Sequence, residues 1–369
     1  MSTIPFIEAR FFNPAEGRIE LETRLMRHLR KLRCKRILPN LLALPDEVDA
    51  PDKVSDADLM GIVRFGDDDE SRVKRRVKRL MECRKAASGL EHLKRDDRER
   101  LEVLKDGVRL ISLRNEHHAD ELAAALHEDM PWMAPATEVV WHAARRSWRE
   151  GAPGLRIPPL QLTGPPGIGK SRFGRDLAAL LATSTAAIEA TGENASFGIV
   201  GSQRGWGGSH PGRLIETILQ SRIANPVMVV DEVEKAGRAT STSGQAFGLA
   251  EALLPLLEPL TAKRWSCPYY QVKFDMSWVI WVLTSNDCRL LPEPLLSRCP
   301  PIRLRHLTLA ELVAFVRREG AKRNLSEVSV EAICEILSHP SLQQHRPSLR
   351  VAARMLQRAT DLEQGPTLH

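Results

Sequence analysis

Residues Gly164-Pro165-Pro166-Gly167-Ile168-Gly169-Lys170-Ser171 fit the pattern G-x-x-x-x-G-K-[ST] at every position. An apolar run, Leu160–Leu162, leads into it, and a helical pattern over Arg172–Leu181 leads out. Strand, glycine-rich turn and helix are the context in which this pattern cradles phosphate. The glycines let backbone N–H groups curl around phosphate oxygens, and the helix N-terminus adds partial positive charge. Lys170 is then placed to reach the terminal phosphates, and Ser171 to hold Mg²⁺. A chain with this loop is expected to build a parallel sheet with crossover helices around it.

The next apolar run, Val227-Met228-Val229-Val230, ends in Asp231-Glu232. A buried strand that delivers two carboxylates at its C-terminal end suits a phosphate site on the sheet's edge. Asp231 is expected to hold Mg²⁺ through water, and Glu232 to orient and deprotonate an attacking water. A third run, Trp278–Leu283, is the remaining clear strand signal. Short apolar runs between helical patterns imply an α/β fold with the sheet covered on both faces.

The flanks read differently. Before a Pro/Gly linker at 151–159 the chain is helical. Leu21, Leu25, Met26, Leu29 and Leu32 line one face of a first helix that Pro39 and Pro45 stop. A second helix is expected to begin at Ser71, with Val73, Val77, Leu80 and Met81 as its stripe, and others over Leu90–Leu113 and Asp120–His127. From Thr308 to the end the pattern is helical again.

Composition limits the partners. Charged residues make up 27% and hydrophobic ones 43%, and no apolar run approaches the roughly 18 residues of a membrane span. The first residues lack signal-peptide character, and six scattered cysteines contain no C-x-x-C, which points to a reducing, cytoplasmic setting. Net charge is +6, with basic clusters at Arg24–Arg36 (seven Lys/Arg, no acid) and Arg72–Lys85 (eight Lys/Arg, one Glu). Such clusters keep nucleic acid open as a partner. No aromatic interleaves the second cluster, and His117-His118 lacks a second metal-binding pair.

Taken together, the segments over about 135–360 resemble AAA+ ATPases, and within them the ATPase module of Lon proteases. The resemblance is carried in order by Gly164–Ser171, Gly205–Arg213, Asn225–Lys235, the leucine-rich stretch ending in Glu258, Tyr269–Ser277, Thr284-Ser285-Asn286 and Pro294–Arg298. It implies a P-loop sheet domain at 131–305 and a small helical lid at 306–369; the helical N-terminal region at 1–130 lies outside it and is expected to bind a client or partner. It implies ATP and Mg as cofactors. Asn286 matches the first sensor, which helps place the attacking water; Arg298 matches the arginine finger, which reaches a neighbouring subunit's γ-phosphate. Arg350 matches the second sensor, with Arg346 as a rival. Trp206 matches the pore-loop aromatic, although the residue after it is Gly207.

The resemblance stops short of a Ser-Lys peptidase domain, which the nineteen residues after Arg350 have no room for. The leading expectation is a homo-oligomeric ring, six subunits by analogy, that hydrolyses ATP to remodel or unfold a protein client, with no membrane involved. The alternative is a nucleic-acid-associated AAA+ ATPase, a loader or transposition helper. A third is a nucleotide-gated scaffold with slow turnover.

Overall fold

The computed structural model describes residues 2–13, 16–37, 65–191, 195–205, 208–236, 239–240 and 246–365. The expected pore-loop residue Trp206 and its neighbour Gly207 lie outside them, as do Pro39 and Pro45, the expected stop of the first helix. The chain divides into two compact units, residues 8–102 and residues 1–7 with 103–369.

The larger unit is built on five parallel strands: β1 (Leu160–Thr163), β2 (Thr185–Glu189), β3 (Val227–Asp231), β4 (Ile280–Ser285) and β5 (Pro301–Arg303). Their order across the sheet is β5-β1-β4-β3-β2. The two central runs, β3 and β4, are apolar with scarcely a break because helices cover both faces. β2 lies at the edge, and its side chains alternate between exposed and half-buried. Register is set residue by residue. Val282 faces Leu160 and Val229, and Ser285 faces Thr163. Parallel pairing therefore brings Thr163, Asp231 and Ser285 to one edge, where an open α/β sheet binds its ligand.

The helix Lys170–Leu180 crosses from β1 to β2 and lies against the sheet. Gly174 permits the approach: a Cβ there would sit 2.7 Å from Val229 Cγ2. Beyond β5, the helices Leu309–Lys322, Glu327–Ser338 and Leu349–Gln364 pack together through Leu312, Val316, Leu337 and Leu356. The first is started by a capping box in which Thr308 and Glu311 satisfy each other's backbone N–H. The helices Glu116–Asp129 and Ala134–Arg149 bury Leu122, Leu126, Val140 and Ala144 in the same core.

In the smaller unit, Arg18–Ile37 and Asp67–Ala87 pack through Leu21, Val73 and Val77, with Leu25, Met26 and Leu29 alongside. A bidentate pair joins them: the Arg33 guanidinium donates to both Asp69 oxygens at 2.6 and 2.5 Å. That pair holds the Asp69 carboxyl below its ordinary range.

Two sequence expectations are corrected here. The second helix begins at Asp67, not Ser71, so the four acids Asp67–Glu70 form its first turn, where they suit the helix dipole. The stretch Leu90–Leu113 is helical only over Arg95–Glu102. A turn follows over 103–106, and Gly107, with φ +85 and a Cβ position 2.5 Å from the Ile4 carbonyl oxygen, leads into the short strand Val108–Arg109.

Asn225 is fully buried just before β3. Its amide donates to the carbonyls of Ile111 (2.9 Å) and Leu155 (3.2 Å), and its Oδ1 accepts the Ile111 N–H at 2.9 Å. It thus ties two irregular segments to the sheet. Asn225→Ala leaves these backbone groups unpaired in a dry site and is expected to destabilise the fold by about 1–3 kcal/mol. A fall in the urea midpoint at unchanged slope is the measurement.

Candidate active site

The glycine-rich loop leaves β1 with the Gly164 N–H donating to the Ser285 carbonyl at 3.2 Å. Gly164 is hemmed in, since a Cβ would lie 2.7 Å from the Leu304 carbonyl oxygen. Gly167 and Gly169 take φ of +74 and +96, which L side chains rarely adopt. Two contacts from outside the loop hold it. The Trp132 indole N–H donates to the Ile168 carbonyl at 2.8 Å, and the Leu349 N–H to the Gly167 carbonyl at 3.1 Å.

Lys170 opens the helix and is 7% exposed. Its ammonium donates to the carbonyls of Gly164 (2.6 Å) and Pro165 (2.8 Å) and to Asn286 Oδ1 (3.0 Å). Burial pushes the Lys170 pKa down to about 8, against the opposing pull of Asp231, Glu234 and Glu232.

Across the cleft, the ends of β3 and β4 are fastened together. Thr284 donates its hydroxyl to Asp231 Oδ1 and accepts the Glu232 N–H at 3.1 Å. Glu232 has φ 54, a left-handed conformation uncommon for a side chain of its size. Its Oε1 lies 3.4 Å from Asn286 Nδ2, and its Oε2 accepts from Lys235 at 2.9 Å. Glu234 Oε1 accepts the Asn286 N–H at 2.8 Å, while Glu234 Oε2 is buried without a partner.

A cleft of 330 Å³ takes in Pro166, Gly167, Gly169, Lys170 and Ser171 from one side and Asp231, Glu232 and Asn286 from the other. Arg350, at the start of Leu349–Gln364, lines it as well; Arg346 does not. Arg298 is elsewhere. It donates to the Pro294 carbonyl at 3.1 Å, lies 3.8 Å from Glu258, and lines a separate 550 Å³ cavity. Of the residues expected at the phosphate site, Pro166, Gly167, Gly169, Lys170, Ser171, Asp231, Glu232, Asn286 and Arg350 line one cleft, and Arg298 does not. Sequence reasoning missed Thr284, Glu234, Lys235, Trp132 and the cleft-lining Arg172 and Arg175. Thr284 was within reach, since parallel register sets the residue before Ser285 beside Asp231.

The residues suit a nucleoside triphosphate with Mg²⁺. The buried ammonium has only neutral oxygens within hydrogen-bonding distance, which leaves its charge for an anion. No group of three or more His, Cys, Asp or Glu among the described residues forms a metal cage. A metal here would rely on Ser171, Asp231 and phosphate oxygens together, as Mg²⁺ characteristically does.

The same region is matched by the AAA family (ATPase family associated with various cellular activities), over residues 160–307. The chain carries an AAA ATPase domain. It is 34% identical over 181 residues to the Lon protease of Chlamydia trachomatis serovar D, covering 49% of this chain and 22% of that one. It is 34% identical over 179 residues to the peroxisomal Lon protease homolog 2 of Arabidopsis thaliana, covering 48% and 20%. The alignments thus take in about a fifth of these relatives' length. Among solved structures, a chain of the S. cerevisiae Hsp104:casein complex in its extended conformation superposes with a TM-score of 0.52 at 17% identity, over 72% of this chain and 50% of that one. That likeness supports the mixed α/β fold.

The depressed Lys170 pKa has a consequence for nucleotide binding. Above about pH 8 the free side chain loses its charge, and an incoming phosphate must draw a proton back onto it. Nucleotide affinity should fall between pH 7.5 and 9.5. Titration calorimetry in buffers of different ionisation heat should show proton uptake on binding near pH 8.5.

Proposed function

We propose that this protein hydrolyses ATP, with Mg²⁺, to remodel or unfold a protein client. The observation that carries the reading is the convergence of Lys170, Ser171, Asp231, Glu232 and Asn286 on one cleft, with Arg298 absent from it. Bound Mg-ATP supplies the reactive phosphoanhydride. Lys170 and the backbone of the Gly164–Gly169 loop hold the phosphates, and Ser171 and Asp231 the metal. Glu232 accepts the proton of the attacking water, Asn286 orients it, and Arg350 senses the nucleotide from the lid. Arg298 completes the site of the next subunit in a ring, which we take to be a hexamer.

Several features support the rest of the reading. The relatives it matches are named as proteases, and the structural neighbour is titled as a complex with casein, which supports a protein as the client. The helical N-terminal region, within 1–130, selects it, while 131–305 and 306–369 act as engine and lid. The five cysteines with described side chains are unpaired, which supports work in the cytoplasm. No helix among the described residues is long and apolar enough to cross a membrane. A second reading, nucleic-acid remodelling, is favoured only by the exposed basic face of Asp67–Ala87.

The deciding experiment measures ATP turnover of the purified protein alone, with unfolded casein, and with DNA. Stimulation by casein supports the proposal; stimulation by DNA alone, with salt-sensitive binding, replaces it with the second reading. Glu232→Gln should retain ATP binding and lose roughly 10²–10⁴-fold in turnover, because an amide accepts no proton. Lys170→Ala should fail to bind ATP productively. Mixing Arg298→Ala with Lys170→Ala should restore part of the turnover, since each subunit supplies what its neighbour lacks. Full activity of a dilute monomer would exclude action of Arg298 in trans.

A further inference from the structure

The 8–102 unit contains a cleft of 640 Å³, larger than the 330 Å³ ATPase cleft. Two helices form its walls. Lys78, Met81, Glu82 and Lys85 face it from Asp67–Ala87, and Arg95, Arg98, Glu99 and Glu102 from Arg95–Glu102. Each set has the i, i+3, i+4, i+7 spacing of a single helix face. The stretch Arg10–Asn13 contributes Phe11 and Phe12, tied in by the Arg10 N–H to the Ser88 carbonyl at 3.0 Å.

The apolar part is open to water, with Phe12 40% and Met81 38% exposed. The Phe12 ring is held in place by the Arg84 guanidinium, 5.4 Å from its centroid and itself paired with Glu16 at 2.5 Å. Around this floor stand seven Arg or Lys against four Glu. Arg10 and Lys78 have no carboxylate partner among the described residues.

We propose that this cleft docks a short acidic amphipathic helix of a partner protein. A groove between two helix faces, apolar below and basic at its rim, complements leucine or phenylalanine on one side of such a helix and Asp or Glu beside them. A methionine in the floor adapts to different apolar side chains. Two other occupants fit less well. Nucleic acid would stack a base on Phe12, but Arg84 already covers a face of that ring. A second copy of this cleft, in a two-fold contact, would set one basic rim against the other.

That the docked partner is the client to be remodelled rests on the proposed function; the binding does not. The test uses the full chain without nucleotide and a fluorescein-labelled peptide of about 15 residues, helical by design, with Leu/Phe on one face and Glu on its flanks. Anisotropy should show saturable binding. Lys78→Glu, Arg10→Glu and Met81→Glu, all at exposed positions, should each weaken it by about tenfold or more, with melting curves like the wild type. A control peptide with Lys for Glu should not bind. The proposal is overturned by equal binding of that control, by variants that leave affinity unchanged, or by an oligonucleotide that displaces the peptide. It is also overturned if the variants change the sedimentation of the protein alone, which would make the cleft an interface between copies. Peptide binding retained in a chain that hydrolyses no ATP would refute the proposed function and leave the docking site standing.

Discussion

The ammonium of Lys170 sits in a place where a charge is costly. It is withdrawn from water, surrounded by the carbonyls of Gly164 and Pro165 and the amide oxygen of Asn286, and its pKa is depressed to about 8. The sheet edge, the glycine turn and the carboxylates of β3 hold it there together. Much of the larger unit is arranged around that position. Trp132, before the loop in sequence, and Leu349, far after it, brace the loop, so the helices flanking the sheet and the C-terminal helices both bear on its shape. A change in either set reaches the phosphate cradle through one hydrogen bond.

The register between β3 and β4 is the second constraint. Because the strands are parallel and in step, Thr284 meets Asp231 and Asn286 meets Glu232 and Glu234. A one-residue slip would turn each of these side chains to the opposite face. The fully buried runs of both strands guard against that slip. At this junction Glu232 takes a left-handed backbone, which persists because its N–H is bonded to Thr284 and both its carboxylate oxygens have neighbours.

Arg298 and the helical unit share a feature: each displays groups that its own surroundings do not use up. Arg298 is only loosely matched by Glu258, at 3.8 Å. The 8–102 unit leaves Phe12 and Met81 exposed beside unmatched cations. In the proposed function these are the two points where other chains engage, one a neighbouring subunit and the other a client.

The phosphate loop, the acid pair at the end of β3 and the α/β class could be read directly from the chain. Each is written in contiguous residues whose local chemistry admits few alternatives: glycines for positive φ, a lysine and hydroxyl at fixed offset, an apolar run ending in two acids. The start of the helix at Asp67 was misjudged by four residues because consecutive acids read as loop, although they also suit a first helical turn. Leu90–Leu113 read as helix because its apolar spacing gives no sign that Gly107 must pass close to the Ile4 carbonyl. Tertiary structure alone decided the rest. Trp132 on the loop, Thr284 on Asp231 and Glu234 on Asn286 depend on contacts between segments distant in sequence. No local pattern encodes such contacts, because they arise only when the sheet's register brings those segments together.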